Sequence, residues 1–242
     1  MTTHQTQPTR YLKLPLAFDA AMLQQDLARV GPEHWASHFN TNAYDNGWRG
    51  VALRAVGGQT TSLIPVHDAA FSDTPMLAAC PYFARVLARF ECDKSSVRLL
   101  ALDAGGVIKP HRDSGTSLEG GITRLHVPIQ TSSQVTFCID GEQVHFEQGH
   151  TWYLNASCEH SAYNPTATSR IHLVLDCITN PWLEQLFMAA GGTLQPAHPY
   201  PDANINDANA TSVIANLCAG GHASGLRLAK QLEAIHAGRR TT

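Results

Sequence analysis

The spacing of apolar residues changes character partway along this chain. Over residues 18–30 (FDAAMLQQDLARV) apolar positions recur at helical intervals, with Asp19 placed near the start. Residues 35–50 are loop-like, rich in Asn, Gly and aromatics, and 48–54 then alternates as a strand does. Residues 57–76 read as an excursion rich in Gly, Thr, Ser and Asp. Residues 81–90 predict a helix with Phe83, Val86, Leu87 and Phe90 on one stripe. After Phe90 the grain shortens, and strands are predicted at 97–102, 107–110, 123–129, 135–139, 143–147, 151–154, 161–164 and 170–176. Asp140-Gly141 between two of them is a hairpin signal. Gly105-Gly106, Gly120-Gly121, Gln148-Gly149 and Asn164-Pro165 punctuate the others. Many short strands at near-even spacing, preceded by helices, predict a mainly β fold with flanking helices, its strands forming an antiparallel barrel or jelly roll.

The ends read differently. Residues 1–10 look like a loose tail, and 190–206 is rich in Pro, Gly and Asn, as linkers are. Two short helices are expected at 207–219 and 224–237, as a lid, an interface or a cap on the barrel. The organisation expected is therefore a β-rich domain with N-terminal helices over 1–189 and a linker plus helical extension over 190–242.

Composition narrows the class. A length of 242 residues with 43% hydrophobic and 15% charged residues suits one medium globular enzyme domain. The net charge of −3, without a basic run, gives no sign of nucleic-acid binding. The polar start MTTHQTQPTRYLKLPL does not read as a signal peptide, and no apolar run approaches the roughly 18 residues of a spanning helix. The six cysteines (80, 92, 138, 158, 177 and 218) form no CxxC pair, which fits free thiols in a reducing cytoplasm.

The candidate chemistry lies in the strand-rich half. His111 and Asp113 are two apart at a strand end, so on regular backbone they face the same way. His160 follows several strands later, and a closed barrel can bring it against that pair. Two histidines and one carboxylate fill one face of a non-haem iron and leave positions for a chelating co-substrate and for O2. Ten positions after His160 stands Arg170, opening an alternating run that puts His172 on its face. Arg124 and His126 share a face of their own strand. Buried arginine needs an anionic partner, and its planar guanidinium suits the 5-carboxylate of 2-oxoglutarate. A surface salt bridge is the alternative for each arginine, and a satisfied core histidine for His126 and His172. Zinc accepts the same His/Asp/His set, so a zinc hydrolase or isomerase competes with an Fe(II)/2-oxoglutarate oxygenase. A cupin-like binding module without turnover is the third reading. His145, His150, Glu142 and Glu147 read as surface groups near turns.

Several stretches together resemble the aspartyl/asparaginyl β-hydroxylase family of iron/2-oxoglutarate oxygenases. They are Trp48-Arg49-Gly50-Val51-Ala52-Leu53-Arg54, Ile108-Lys109-Pro110-His111-Arg112-Asp113, Arg124-Leu125-His126-Val127-Pro128, Gly149-His150-Thr151-Trp152-Tyr153-Leu154, Glu159-His160-Ser161-Ala162-Tyr163-Asn164 and Arg170-Ile171-His172-Leu173-Val174-Leu175-Asp176. The resemblance implies a double-stranded β-helix core, of jelly-roll or cupin type. It implies His111 and His160 as iron ligands, with Asp113 completing the triad, and Arg124, His126 and Arg170 as contacts to 2-oxoglutarate. It implies hydroxylation of an amino-acid side chain, free or within a peptide or carrier-bound, coupled to decarboxylation of 2-oxoglutarate to succinate and CO2. Substrate contacts are expected from the loop 40–49, with Asn42, Tyr44, Asn46 and Trp48 as candidates, and from Arg54, Arg112 and Ser114. The segment after residue 190 lies outside the resemblance.

Overall fold

The computed structural model describes residues 8–64, 69–195, 199–202 and 204–239. The expected tail over 1–10 therefore lies largely outside the described residues. So do 65–68 of the expected excursion and 196–198 and 203 of the expected linker.

The first strand, β1 (Tyr11–Ala17), was not anticipated. Its LKLPL alternation is short, and Pro15 interrupts it where the pairing register shifts between Leu14 and Ala17. Proline is tolerated there because β1 is an edge strand. Helix α1 (Ala20–Leu27) follows, capped by Asp19, whose carboxylate accepts from the N–H groups of Ala21 and Met22 at 2.8 and 3.1 Å. The loop-like stretch holds two short strands, β2 (Ala36–Ser37) and β3 (Tyr44–Asp45). β4 (Trp48–Val56), β5 (Phe71–Asp73), α2 (Pro75–Ala79) and α3 (Pro81–Leu87) come next. Asp26, buried in α1, caps α3 by accepting from Tyr82 and Phe83 N–H at 2.6 and 2.9 Å, which fixes the two helices together.

The strand-rich half then runs β6 (Lys94–Leu102), β7 (Val107–His111), β8 (Ile122–Gln130), β9 (Thr136–Ile139), β10 (Glu142–Val144), β11 (His150–Leu154), β12 (His160–Tyr163) and β13 (Arg170–Ile178). Asp140 and Gly141 have φ of 45° and 81° and close β9 onto β10 in the two-residue turn their sequence announced. Helix α4 (Pro181–Ala189) was not anticipated; Asn180 caps it, accepting from Leu183 N–H at 3.0 Å, with Pro at its first turn.

All strand pairs are antiparallel. They form one eight-stranded sheet in the order β1-β11-β8-β13-β6-β4-β2, with β5 beside β4, and one five-stranded sheet in the order β10-β9-β12-β7-β3. From β6 onward the chain passes between the sheets at each turn, apart from the β9–β10 hairpin. That path is a double-stranded β-helix, or jelly roll. Strand alternation sorts the residues. One face of the large sheet, with Leu99, Leu125, Val127, Leu173 and Leu175, packs on Leu23, Phe83, Leu183 and Phe187 of the helices. The other face lines the interior between the sheets with Trp48, Leu100, Leu102, Trp152 and Val174 against Ile108, Phe137 and Ile139. The polar exceptions on that inner face make the site.

Two compact units are distinguished, Met1–Gln195 and Pro196–Thr242. The second contains α5 (Ala210–Ala219) and α6 (Ala223–Arg239), around a small core of Tyr200, Ile205, Ala210 and Leu232. Among the described residues no helix is long and apolar enough to cross a membrane.

Candidate metal centre

His111 ends β7, His160 begins β12, and the two are direct cross-strand partners with ring centroids 4.3 Å apart. Asp113 lies two residues past β7, where its N–H is held by the Ala156 carbonyl at 2.8 Å. One ligand atom from each of His111, Asp113 and His160 lies within 4.8 Å of the others. The Nδ1 of His111 is 2.8 Å from Lys109 O, and the Nδ1 of His160 is 3.0 Å from Cys158 O. A carbonyl only accepts, so both Nδ1 atoms carry a proton, and in a neutral ring that leaves the Nε2 lone pair free. Burial is the main reason that His160 titrates low, at about 4, so its ring is neutral at pH 7.

Asp113 is ionised. Burial pushes its pKa up, but the charge and the hydrogen bond of Arg124 more than offset this, and the net shift is down. Arg124 donates from Nη1 to Asp113 Oδ2, which leaves Oδ1 for a metal. Two imidazoles and one carboxylate on one side of a cavity are a donor set that fits a divalent transition metal with open positions.

Arg124 is also held from behind. Its Nε and Nη2 donate to Asp176 at 2.7 and 3.2 Å. Asp176 in turn accepts from Arg98 Nη2 and, at 3.0 Å, from Ser96 Oγ. Burial would raise the Asp176 pKa, but Arg124 and Arg98 hold it well below the usual carboxylate range. The result is a row of alternating charge: Arg98, Asp176, Arg124, Asp113. Alternation along β13 carries the Arg170 face on to Asp176, so the sequence held a signal for this residue. Arg98 shares that inner face on β6, where it pairs with Val174.

Arg170 is the contrast. It is 3% exposed, yet among the described residues its Nε and Nη2 have no partner. Its guanidinium sits over the Phe137 ring at 5.6 Å, and burial alone pulls its pKa down to about 10. His126 and His172 lie buried nearby, with Nδ1 atoms 3.2 Å apart. An inner cavity is lined by His111, Asp113, His160, Arg124, His126 and Arg170, with Trp48 and Phe137. The sequence-predicted metal and co-substrate residues thus converge on one space.

The substrate candidates divide. An outer cavity of about 570 Å³ adjoins the same centre and is lined by Trp48, Arg54, His111, Asp113, Ser114 and Arg124, among others. That volume is typical of small-molecule sites. Arg54 lines it, but its guanidinium is tied to Asp73, Lys94 O and Phe71 O. Tyr44 does not line it and instead packs edge-on against Trp48 at 5.9 Å. Asn42 is exposed and lines neither cavity. Arg112, between the two ligand candidates on alternating backbone, turns away to Ser157 O and Asp140. Asn46, with φ 59°, serves the turn into β4 with Gly47, where a Cβ would meet Asp103 Oδ2 at 2.4 Å. The residue sequence reasoning missed here is His38, stacked on Trp48 with ring centroids 3.5 Å apart, which lines the outer cavity. Its pKa falls to about 4, chiefly through burial. No periodicity marks it, because it precedes the strand.

A His/Asp/His cluster and a buried arginine with two unpartnered nitrogens line one cavity of this jelly roll, an arrangement that could hold a metal beside an anion. The model of the aspartyl/asparaginyl β-hydroxylases matches residues 18–180, and the chain belongs to that family. An L-proline cis-4-hydroxylase from Rhizobium meliloti (strain 1021) is 28% identical over 162 residues, covering 66% of this chain and 57% of that relative. The chain therefore spans little more than half the length of this curated relative. Among solved structures, a Pseudomonas putida prolyl-4-hydroxylase has a TM-score of 0.46 at 11% identity, covering 70% of this chain and 92% of that one. The viral collagen prolyl hydroxylase of Paramecium Bursaria Chlorella virus-1, solved as a 2OG complex, has a TM-score of 0.43 at 6% identity, covering 71% and 97%. Likeness at that level carries no functional weight.

Proposed function

We propose that this protein is an Fe(II)- and 2-oxoglutarate-dependent dioxygenase that hydroxylates an amino-acid side chain, free or within a peptide or carrier-bound. The observation that carries the reading is Arg170, a buried guanidinium with two unpartnered nitrogens on the cavity that holds the His/Asp/His cluster. A buried cation without a partner is costly, and a carboxylate is the group that completes it. A zinc hydrolase would need a general base at the metal. Glu159, next to His160, is exposed and lines neither cavity.

In this reading His111, Asp113 and His160 hold Fe(II), and Arg170 with His126 receives the 5-carboxylate of 2-oxoglutarate. Bound there, the metal and co-substrate supply O2 activation coupled to decarboxylation to succinate and CO2, with one oxygen atom placed on carbon. The chain supplies position. The Lys109 and Cys158 carbonyls fix the ligand tautomers, as outer partners of metal-bound histidines do. Arg124 orients Asp113 and keeps it ionised, and Asp176 anchors Arg124. Arg124 thereby acts on the metal ligand first; three of its N–H groups go to two carboxylates, and the remaining donors on Nη1 and Nη2 stay available for the co-substrate. Trp48 and His38 wall the outer cavity beside the metal, where the substrate C–H bond would lie. The relative named for L-proline makes proline and its derivatives the first substrates to try.

Anaerobic titration calorimetry with 2-oxoglutarate tests this directly. The Fe(II)-loaded protein is expected to bind it with one site, and Arg170→Ala to lose that binding. Equal binding by wild type and Arg170→Ala would remove the proposed role of Arg170.

A further inference from the structure

His126 on β8 and His172 on β13 are inner-face neighbours whose rings meet edge to face, with centroids 5.4 Å apart and Nδ1 atoms 3.2 Å apart. Both are buried, at 6% and 2% exposure, and neither Nε2 has a partner among the described residues. Phe146 packs on both rings and stacks on Trp152, and Phe137 packs on His126. Both pKa values fall well below 6.5, first through burial and next through Arg170, so both rings are neutral.

Two neutral imidazoles have one N–H each. For the Nδ1 atoms to bond, one must carry its proton and the other must not. If His126 carries it at Nδ1, its Nε2 is a bare acceptor. If His172 carries it, His126 becomes an Nε2–H donor. His126 lines the inner cavity with Arg170, and His172 does not. Arg170 offers that cavity unpaired N–H donors, so the group it awaits is an acceptor, and a second acceptor beside it would repel that group.

We infer that His172 is a positioning residue: its Nδ1–H donates to His126 Nδ1 and so commits His126 to donate from Nε2 to the carboxylate held by Arg170. The inference rests on the co-substrate reading above for the identity of that carboxylate. It turns a buried histidine that touches no ligand into the residue that makes the anion site all-donor. It also makes the site selective for an ionised distal carboxylate over an amide or ester of the same length.

The test has two arms. Nitrogen-15 spectra of histidine-labelled wild-type protein read the tautomers without turnover. Expected are His172 protonated at Nδ1 and His126 at Nε2; His126 protonated at Nδ1 would overturn the inference. In the second arm, 2-oxoglutarate binding to the metal-loaded protein is measured for His172→Leu and for His172→Asn, whose amide N–H stands close to the lost Nδ1–H. His172→Leu is expected to bind about tenfold to a hundredfold more weakly, by loss of one charge-assisted hydrogen bond. His172→Asn is expected to recover most of that, with metal affinity unchanged in both. Equal loss in both variants would reduce His172 to a packing role. Wild-type protein with the expected tautomers but no affinity for 2-oxoglutarate would instead overturn the co-substrate reading and leave the relay in place for another acceptor.

Discussion

Arg170 and Asp176 stand on the same inner face of β13, six residues apart, and their charges do not meet: Asp176 is shared by Arg98 and Arg124, while two Arg170 nitrogens have no partner among the described residues. A fold selected only for stability would not leave a cation so. Arg170→Met keeps the bulk and removes the charge. The ligand-free variant is expected to be more stable than wild type by about 1–3 kcal/mol, the desolvation cost of an unsatisfied buried group. Urea unfolding with and without 2-oxoglutarate checks it: wild type should gain stability from the co-substrate and Arg170→Met should not. A less stable variant would mean that Arg170 already has a compensating partner.

Asp176 carries the opposite expectation. Asp176→Asn leaves Arg98 and Arg124 sharing no buried anion. Breaking a buried ion pair from one side costs about 3–5 kcal/mol. Chemical unfolding measures that loss directly. Metal affinity should fall as well, because Arg124 loses the anchor that aims it at Asp113. A loss of under about 1 kcal/mol, the size of a surface pair, would contradict the buried charge row.

Asp113→Ala removes one of the three proposed metal ligands and leaves Arg124 with Asp176 alone. Fe(II) affinity is expected to fall at least about a hundredfold, beyond the loss typical of an outer partner, and hydroxylation to fall with it. Equilibrium dialysis reads the first. Unchanged metal affinity would take Asp113 out of the triad.

Ligand-free stability should decline in mild acid. His38 and His160 titrate at about 4 in the folded chain, and His126 and His172 well below 6.5. Their folded pKa values lie below the unfolded value, so the unfolded state takes up protons first. Their contribution is full above about pH 6.5 and is lost as pH falls from there toward 4, at up to about 1.4 kcal/mol per group and pH unit. Unfolding at pH 7.5 and 5.5 tests it, and equal stability at both would contradict the neutral buried rings.

Most strands of the jelly roll were legible because they are short runs and several end at Gly, Asn-Pro or Asp-Gly, as β6, β9 and β12 do, and local chemistry suffices for those. Edge strand β1 and helix α4 were not, since β1 is stabilised by its pairing with β11 and α4 by burial of Leu183 and Phe187. In the site, the residue types of His111, Asp113, His160 and Arg170 announced themselves. What their spacing could not give was the division of labour between the arginines. That depends on Asp176 reaching Arg124 across the β8–β13 pair, where the two are direct partners. Asn42 and Arg112 illustrate the same limit, for a loop or a strand end does not fix which way a side chain points.

The most direct measurement of the central claim is turnover itself. Protein with Fe(II), ascorbate, O2 and 2-oxoglutarate is incubated with a panel of amino acids and peptides led by L-proline, and products are followed by mass spectrometry. The predicted result is succinate formed in step with a substrate product heavier by about 16 Da, one oxygen atom by oxo transfer, and lost in Asp113→Ala. Full activity with zinc in anaerobic buffer, or no succinate with any substrate from a protein that binds Fe(II), would contradict it.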